Sequence, residues 1–489
     1  METAADAVFP LVIPEGVSVR TFPVPHIGTH VHVLTVEHPS GRQLSMFGET
    51  FVLPRVDTRV SKATTRAYFL SCDGEGVREY PSPSLPAFYN VSTVSSEHPE
   101  NLWAKLKTDI ARDAADDKVS LVFHIGDQVY MDDITTEVGT LPDPSAFDRV
   151  DVMQKIASVY RANFNRVHKK DVLMRAINIM MLDDHEIVNT WRTVSKHNKQ
   201  QYSLHPELEQ MLLNAYYLYQ RSLVCDVDDV TTCMAPFHYV LHNTQYIVLD
   251  TETRRQSHLS VSDNPILGTE QVAAVEKILI SGDPMQMTCI VTPTPFLSTG
   301  RLANRILSSK IDIDWLSEYG GNAYKWAERQ RMLSMCMTAP RERTGALYIV
   351  GGDSHYCEYS LITDASRTVL PHLTTSPMSS QLINDSNFHL VNKLLLNRKI
   401  DGAIIERLYI MPDFNYLCVR NDASDTAHLD IKCTTYFNGA RDFSIPLRDA
   451  RHASMYRAKS AMLWMFDKLL NSVLAVSEFF LPLAISSEQ

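Results

Sequence analysis

The stretch HIGDQVYMDD, residues 124 to 133, packs a histidine, a tyrosine and three carboxylates directly after the apolar run VSLVF. A solvated loop can carry that many acids, so the rest of the chain decides what they mean. Other apolar runs close on similar clusters. AYFL ends in Ser71, Cys72 and Asp73, INIMML in Asp183, Asp184, His185 and Glu186, and ALYIV in Gly351, Gly352, Asp353 and His355. Asp353 and His355, at i and i+2, leave an extended segment on the same side and can face one ion. Asp127 and Tyr130 can do so from a turn. Carboxylates gathered in one crevice raise each other's pKa, and bound cations make that tolerable. Carboxylate, imidazole and phenolate, with a thiolate from Cys72, suit iron, manganese or calcium better than a closed zinc site. An aspartate shared by two ions about 3.5–4 Å apart is the arrangement for in-line displacement at phosphorus.

These clusters converge only if the runs before them are neighbouring strands. Short apolar runs alternating with helical stretches such as ENLWAKLKTDIARDAAD and PELEQMLLNAYYLYQRSL indicate an α/β fold. Open α/β sheets place ligands at the carboxyl ends of their strands. Residues 1–65 differ: VSVRTFPV, THVHVLTVEH and QLSMFGETFVL, set between turn signals, form a small β-rich unit. Near the other end, RLYIMPDFNYLCVRN to TTYFNGARDFSIPL returns to β-hairpins. After it, Met455, Met462, Phe466, Leu469, Val473, Val476 and Phe480 recur at three-four spacing, as in an amphipathic helix over 451–489.

In this order and spacing, SCD, GDQVY, DDHEIVNTW and GGDSH resemble the PhoD-like alkaline phosphatases, a branch of the calcineurin-like metallophosphoesterases. The resemblance covers about residues 66 to 380 and takes in LDTETRR, TPTPFL and WAERQRML. It implies two sheets packed face to face and flanked by helices over 66–450, with the small all-β domain before and the terminal helix after. It also implies two metal ions, iron together with calcium or manganese, zinc fitting less well, and a metal-bound hydroxide that attacks phosphorus. Asp127 matches the bridging ligand, while Tyr130, Asp184, Asp353 and His355 match further ligands. The first ligand is either Cys72 or Asp73. His185 matches the group that protonates the leaving oxygen, and Arg254 in LDTETRR is a candidate for phosphate contact. The same residues also permit plainer readings: Tyr130 as an aromatic plug, His185 as a core histidine, Arg254 in a surface ion pair.

Composition narrows the partners. A formal net charge of -11 without a basic stripe disfavours nucleic acid. No run reaches the roughly 18 uncharged apolar residues of a membrane span. The terminal helix could dock on the core or contact a membrane surface. Eight scattered cysteines and a start without a signal-peptide pattern lead to the expectation of the cytoplasm or another reducing intracellular compartment. The expected substrate is a phosphate ester. The alternative is a noncatalytic binding or scaffold protein that keeps the fold.

Overall fold

Apolar runs bounded by turn residues become strands, and a computed structural model shows how they assemble. The structure describes the strands within 17–53 and residues 65–74, 97–191, 204–223, 237–296, 326–380 and 399–446, with short gaps inside those ranges. The helix expected over 451–489 lies outside the described residues.

Strands β1 (Val17–Pro23), β2 (His30–His38), β3 (Gly41–Met46) and β4 (Glu49–Leu53) pair antiparallel, in that order, as a sheet of their own. Next, β5 (Thr65–Leu70) leads through α1 (Glu97–Ala115) to β6 (Val119–His124). Helices α2 (Asp132–Gly139), α3 (Arg149–Phe164) and α4 (Val167–Arg175) then precede β7 (Ile177–Met180). These three strands run parallel.

After α5 (Pro206–Tyr219) the chain builds another sheet. Its elements are β8 (Phe237–Leu241), β9 (Thr244–Val248), α6 (Gly268–Ser281), β10 (Met287–Thr292), α7 (Trp326–Thr338) and β11 (Leu347–Gly351). They are followed by β12 (Cys357–Thr363), β13 (Val369–Thr374), β14 (Lys399–Ile400) and β15 (Ala403–Met411). Finally β16 (Asn415–Asn421), β17 (Ala427–Thr435) and β18 (Gly439–Pro446) return to the sheet of β5. The strand orders are β18-β17-β16-β5-β6-β7 and β14-β15-β12-β13-β11-β10-β9-β8. The segment RLYIMPDFNYLCVRN, read above as hairpin, instead divides: β15 pairs with β12 and β14, and β16 with β5 and β17.

The two-residue period of the strands decides what lies on each face. Ala67, Phe69, Leu121, Phe123, Leu417 and Val419 share one buried cluster with Tyr246, Val248, Cys289, Val291, Tyr348 and Val350, so the two sheets meet face to face. The Phe123 and Tyr246 rings touch across this interface at 4.8 Å, a contact worth about 0.5–1.5 kcal/mol beyond area burial. The alternate residues Tyr68, Leu70 and Val122 pack outward on Leu102, Trp103 and Leu106 of α1. On the other outer face, Ile247, Ile290 and Ile349 pack on Val272 and Val275 of α6 and on Met332 and Cys336 of α7. The protein is thus an α/β sandwich with helices on both outer faces. Among the described residues, no helix is long and apolar enough to cross a membrane. The described cysteines Cys72, Cys289, Cys336, Cys357 and Cys418 are buried and form no disulfide.

Burial has a pH consequence at His372 on β13. Desolvation pushes this imidazole down to about 4, against the pull of Glu358. It is therefore neutral in the folded protein, while the unfolded chain takes up a proton near its ordinary value of 6.5. Its contribution is complete above about 6.5 and is lost as pH falls toward 4. The predicted slope is up to about 1.4 kcal/mol per pH unit. Urea unfolding from pH 4 to 7 should show this slope, and His372→Gln should flatten it.

Candidate metal centre

Four strand ends supply the polar groups. β5 opens into Ser71–Gly74, β6 into Ile125–Tyr130, β7 into Met181–Glu186, and β11 into Gly352–His355. Backbone bonds tie these loops together: Cys72 N–H donates to Gly126 O at 3.3 Å, Asp73 N–H to Asp127 O at 2.8 Å, and Met131 N–H to His185 O at 3.0 Å. Residues 375–380, after β13, close the same end. There Met378 N–H donates to Ser71 O, and Ser379 and Ser380 N–H both donate to Cys72 O.

The backbone at the centre is strained. Cys72, Asp127, Asp353 and His355 have φ of 54°, 58°, 61° and 56°. Such left-handed conformations cost non-glycine residues about 1–3 kcal/mol each and persist only where the surroundings enforce them. Gly126, at φ 80°, has no alternative, since a Cβ there would lie 2.4 Å from Asp183 Cβ. Gly74 likewise leaves room for the Tyr130 ring, which a Cβ would meet at 2.4 Å.

These turns aim the side chains at one another. Donor atoms lie within 4.8 Å of each other in three groups: Cys72, Asp127 and His355; Asp127, Asp184 and His185; and Asp127, Asp183 and Asp353. Asp127 belongs to all three. Burial, followed by the charges of Cys72, Asp183, Asp184 and Asp353, drives its carboxyl well above the usual range. Burial together with Asp353, Glu252, Asp184 and Glu186 does the same to Asp183. Burial and Asp353 push the Cys72 thiol up to about 12. Asp127 Oδ1 and Asp183 Oδ2 are buried without a hydrogen-bond partner among the described residues. Oxygen-rich donors, unsatisfied and crowded with like charge, fit metal cations and explain what would make the crowding stable.

The remaining expected residues sort by geometry. Tyr130 lies at the edge of the cluster, its hydroxyl 3.5 Å from Asp127 Oδ2 and 3.1 Å from Ser380 Oγ, and its ring 4.2 Å from that of His185. His185 donates through Nδ1 to Asp132 Oδ2 at 2.7 Å, and Asp132 Oδ1 accepts Asn189 N–H at 2.8 Å. Burial disfavours the imidazolium, but Asp132 and then Asp184 outweigh it and raise His185 to about 10. Sequence reasoning missed Asp132 as the partner of His185. It also missed Ser376, whose hydroxyl lies 3.0 Å from Cys72 Sγ.

Asp73 turns away, and this corrects its expected place among the ligands. Its carboxylate takes Lys169 Nζ at 2.5 Å, Arg166 at 2.7 Å, Trp103 Nε1 at 3.1 Å and Ser379 Oγ at 2.6 Å. Arg166 and Lys169 outweigh burial and hold Asp73 well below the carboxylate range. It is a buried ion pair beside the centre, with Cys72 facing in. Arg254 is not brought to the cluster either. Its guanidinium pairs with Glu270 at 3.6 Å, and its side chain is 43% exposed. In the same LDTETRR turn, Asp250 caps the backbone N–H groups of Glu252 and Thr253.

A model of the PhoD-like phosphatase family matches residues 100–401. The chain belongs to the PhoD-like phosphatases. Their chemistry, hydrolysis of phosphate esters with metal, accords with the donors gathered around Asp127. No curated protein matches the chain. Among solved structures it is similar to that of PhoD, at 14% identity over 85% of this chain and 76% of that one, with a TM-score of 0.52. That likeness concerns the fold alone. The match to the PhoD-like phosphatases begins in α1, so the Cys72 loop of β5 lies before it.

The Asp73 pair carries a stability prediction. Asp73→Asn strands two buried cations and should cost about 3–5 kcal/mol, whereas Asp73→Leu combined with Lys169→Met should recover part of that loss. Denaturant unfolding of the metal-free protein measures both.

Proposed function

We propose that the chain hydrolyses phosphate esters at a two-cation centre bridged by Asp127. The observation that carries this reading is that Asp127 is common to all three donor groups. Asp127, Cys72, His355 and Tyr130 would hold one ion, and Asp127 with Asp184, Asp183 and Asp353 the other. The thiolate and phenolate side suits iron, and the carboxylate side calcium or manganese. Bound there, the cations would screen the carboxylates, draw charge from the phosphoryl oxygens and lower the pKa of an attacking water.

The chain's own groups supply the rest. Asp132 fixes the His185 ring through Nδ1 and favours its protonated form, which leaves Nε2 to deliver a proton to the departing oxygen. Tyr130, packed on that ring, limits its rotation. The strained turns at Cys72, Asp127, Asp353 and His355 hold the donors ready before any substrate arrives, so little reorganisation remains for the reaction.

The domain division at 65 and 450, an intracellular reducing location and a docked or membrane-facing helix over 451–489 belong to the same proposal, as does a place among the calcineurin-like enzymes. A noncatalytic scaffold is disfavoured by the three donor groups that share Asp127 and by the Asp132–His185 pair.

Two variants separate binding from chemistry. Asp127→Asn should lose metal and turnover together while remaining folded, because a neutral amide cannot offset two cations. His185→Asn should retain metal and slow hydrolysis of an alkyl phosphate ester by about 10²–10⁴, with a smaller loss on a p-nitrophenyl ester, whose leaving group needs no proton. Metal analysis alongside turnover of both substrates checks this. Equal losses on the two esters would remove His185 from the acid role, and normal turnover by Asp127→Asn would end the bridged-centre reading.

A further inference from the structure

Glu186 is fully buried within this acidic region, yet it belongs to none of the three donor groups. Both of its oxygens are already taken. Oε1 accepts Gln128 N–H at 2.7 Å and the Gln220 side-chain amide at 3.3 Å. Oε2 accepts Asp127 N–H at 3.1 Å and Asp183 N–H at 2.9 Å. One carboxylate thus spans the loop after β6 and the loop after β7.

The backbone explains why an anion is needed there. Gly126 and Asp127 are successive residues with positive φ, and the N–H groups of Asp127 and Gln128 converge on the same carboxylate. Consecutive N–H groups presented in this way form a concavity that binds anions. In this protein the anion comes from the chain itself. The third bond, from Asp183 N–H, fixes the second loop against the first, where Gly126 and Asp183 already touch.

We infer that Glu186 is a positioning residue that clamps the Asp127 and Asp183 loops in one register and so sets the two carboxylates for cation binding. The inference rests on the reading that those loops hold cations. Length and charge are both required. A carboxylate offers two acceptor oxygens to donors on both sides, whereas an amide turns an NH₂ group toward one set of N–H donors and leaves it unsatisfied. An aspartate, one methylene shorter, does not reach both loops.

The test uses the full chain, stripped of metal and titrated calorimetrically with Mn²⁺ and with Ca²⁺. Glu186→Gln should weaken binding by about 10–100-fold, the usual effect of losing a group that orients metal ligands. Gln220→Met, which removes the side-chain bonds to Oε1 and to the Tyr160 hydroxyl while leaving the three backbone bonds to Glu186 in place, should leave affinity unchanged. At saturating Mn²⁺ the remaining defect of Glu186→Gln should lie in kcat rather than KM, a split that a purely structural role would not produce. Hydrogen exchange of the wild-type chain provides a check that needs no variant. Amides 127, 128 and 183 should share one level of protection, because a single carboxylate takes all three.

Glu186→Gln that binds as tightly as wild type, or unequal exchange at these amides, overturns the inference while leaving the metal centre intact. A wild-type chain that binds neither ion overturns the metal reading and this inference with it.

Discussion

The structure around the centre depends on one electrostatic constraint, the gathering of Asp127, Asp183, Asp184 and Asp353 at the buried ends of two sheets. Desolvation and mutual repulsion act in the same direction there, and without cations the Asp127 and Asp183 carboxyls are driven toward their neutral forms. A fold keeps such a site only if something else gains from it. Cations gain, because the crowding that destabilises empty carboxylates becomes attraction once positive charge lies between them. The same logic accounts for the high thiol pKa of Cys72, where burial and Asp353 outweigh the hydrogen bonds from Ser376 and Ser71, and which a bound metal would lower.

Everything nearby serves to hold this arrangement against its own repulsion. The sheets form a packed double layer, with the rings of Phe69, Phe123 and Tyr246 in successive contact between them. The loops adopt left-handed turns at the donor residues themselves, and the 375–380 segment ties them from above through bonds to Ser71 and Cys72. Charges that cannot face a cation are neutralised locally. The turn from α3 to α4 brings Arg166 and Lys169 to Asp73, and Asn163 bonds both Lys169 and the Asp73 backbone. Lys169 also lies 5.2 Å from the Trp103 ring, so this buried ammonium is held by an anion on one side and a π face on another. Asp132 plays the corresponding part for His185.

The sequence revealed which strands carry the donors but not how neighbouring donors divide their tasks. Asp127, Asp184, Asp353 and His355 were legible because each follows an apolar run, and runs of that kind become parallel strands whose ends converge. Cys72 and Asp73 could not be separated in advance. The left-handed turn at Cys72 sets which of the two faces the centre, and the ammonium that claims Asp73 lies 96 positions further on. Ser376 reaches Cys72 across 304 positions, a contact that no local pattern encodes. Arg254 looked like a phosphate group's partner from its place after a strand, but it pairs with Glu270 on the following helix. The division of β15 and β16 between sheets was hidden for a similar reason, because two adjacent strand-like runs read as a hairpin whatever sheet each joins.

The central claim is that Asp127 bridges two cations, and crystals of the metal-loaded chain would test it most directly. An anomalous difference map should show two peaks about 3.5–4 Å apart, with the Asp127 carboxylate touching both. The peak beside Cys72 and Tyr130 should be strongest at the iron edge. A single peak, or two peaks that Asp127 does not join, would contradict the account.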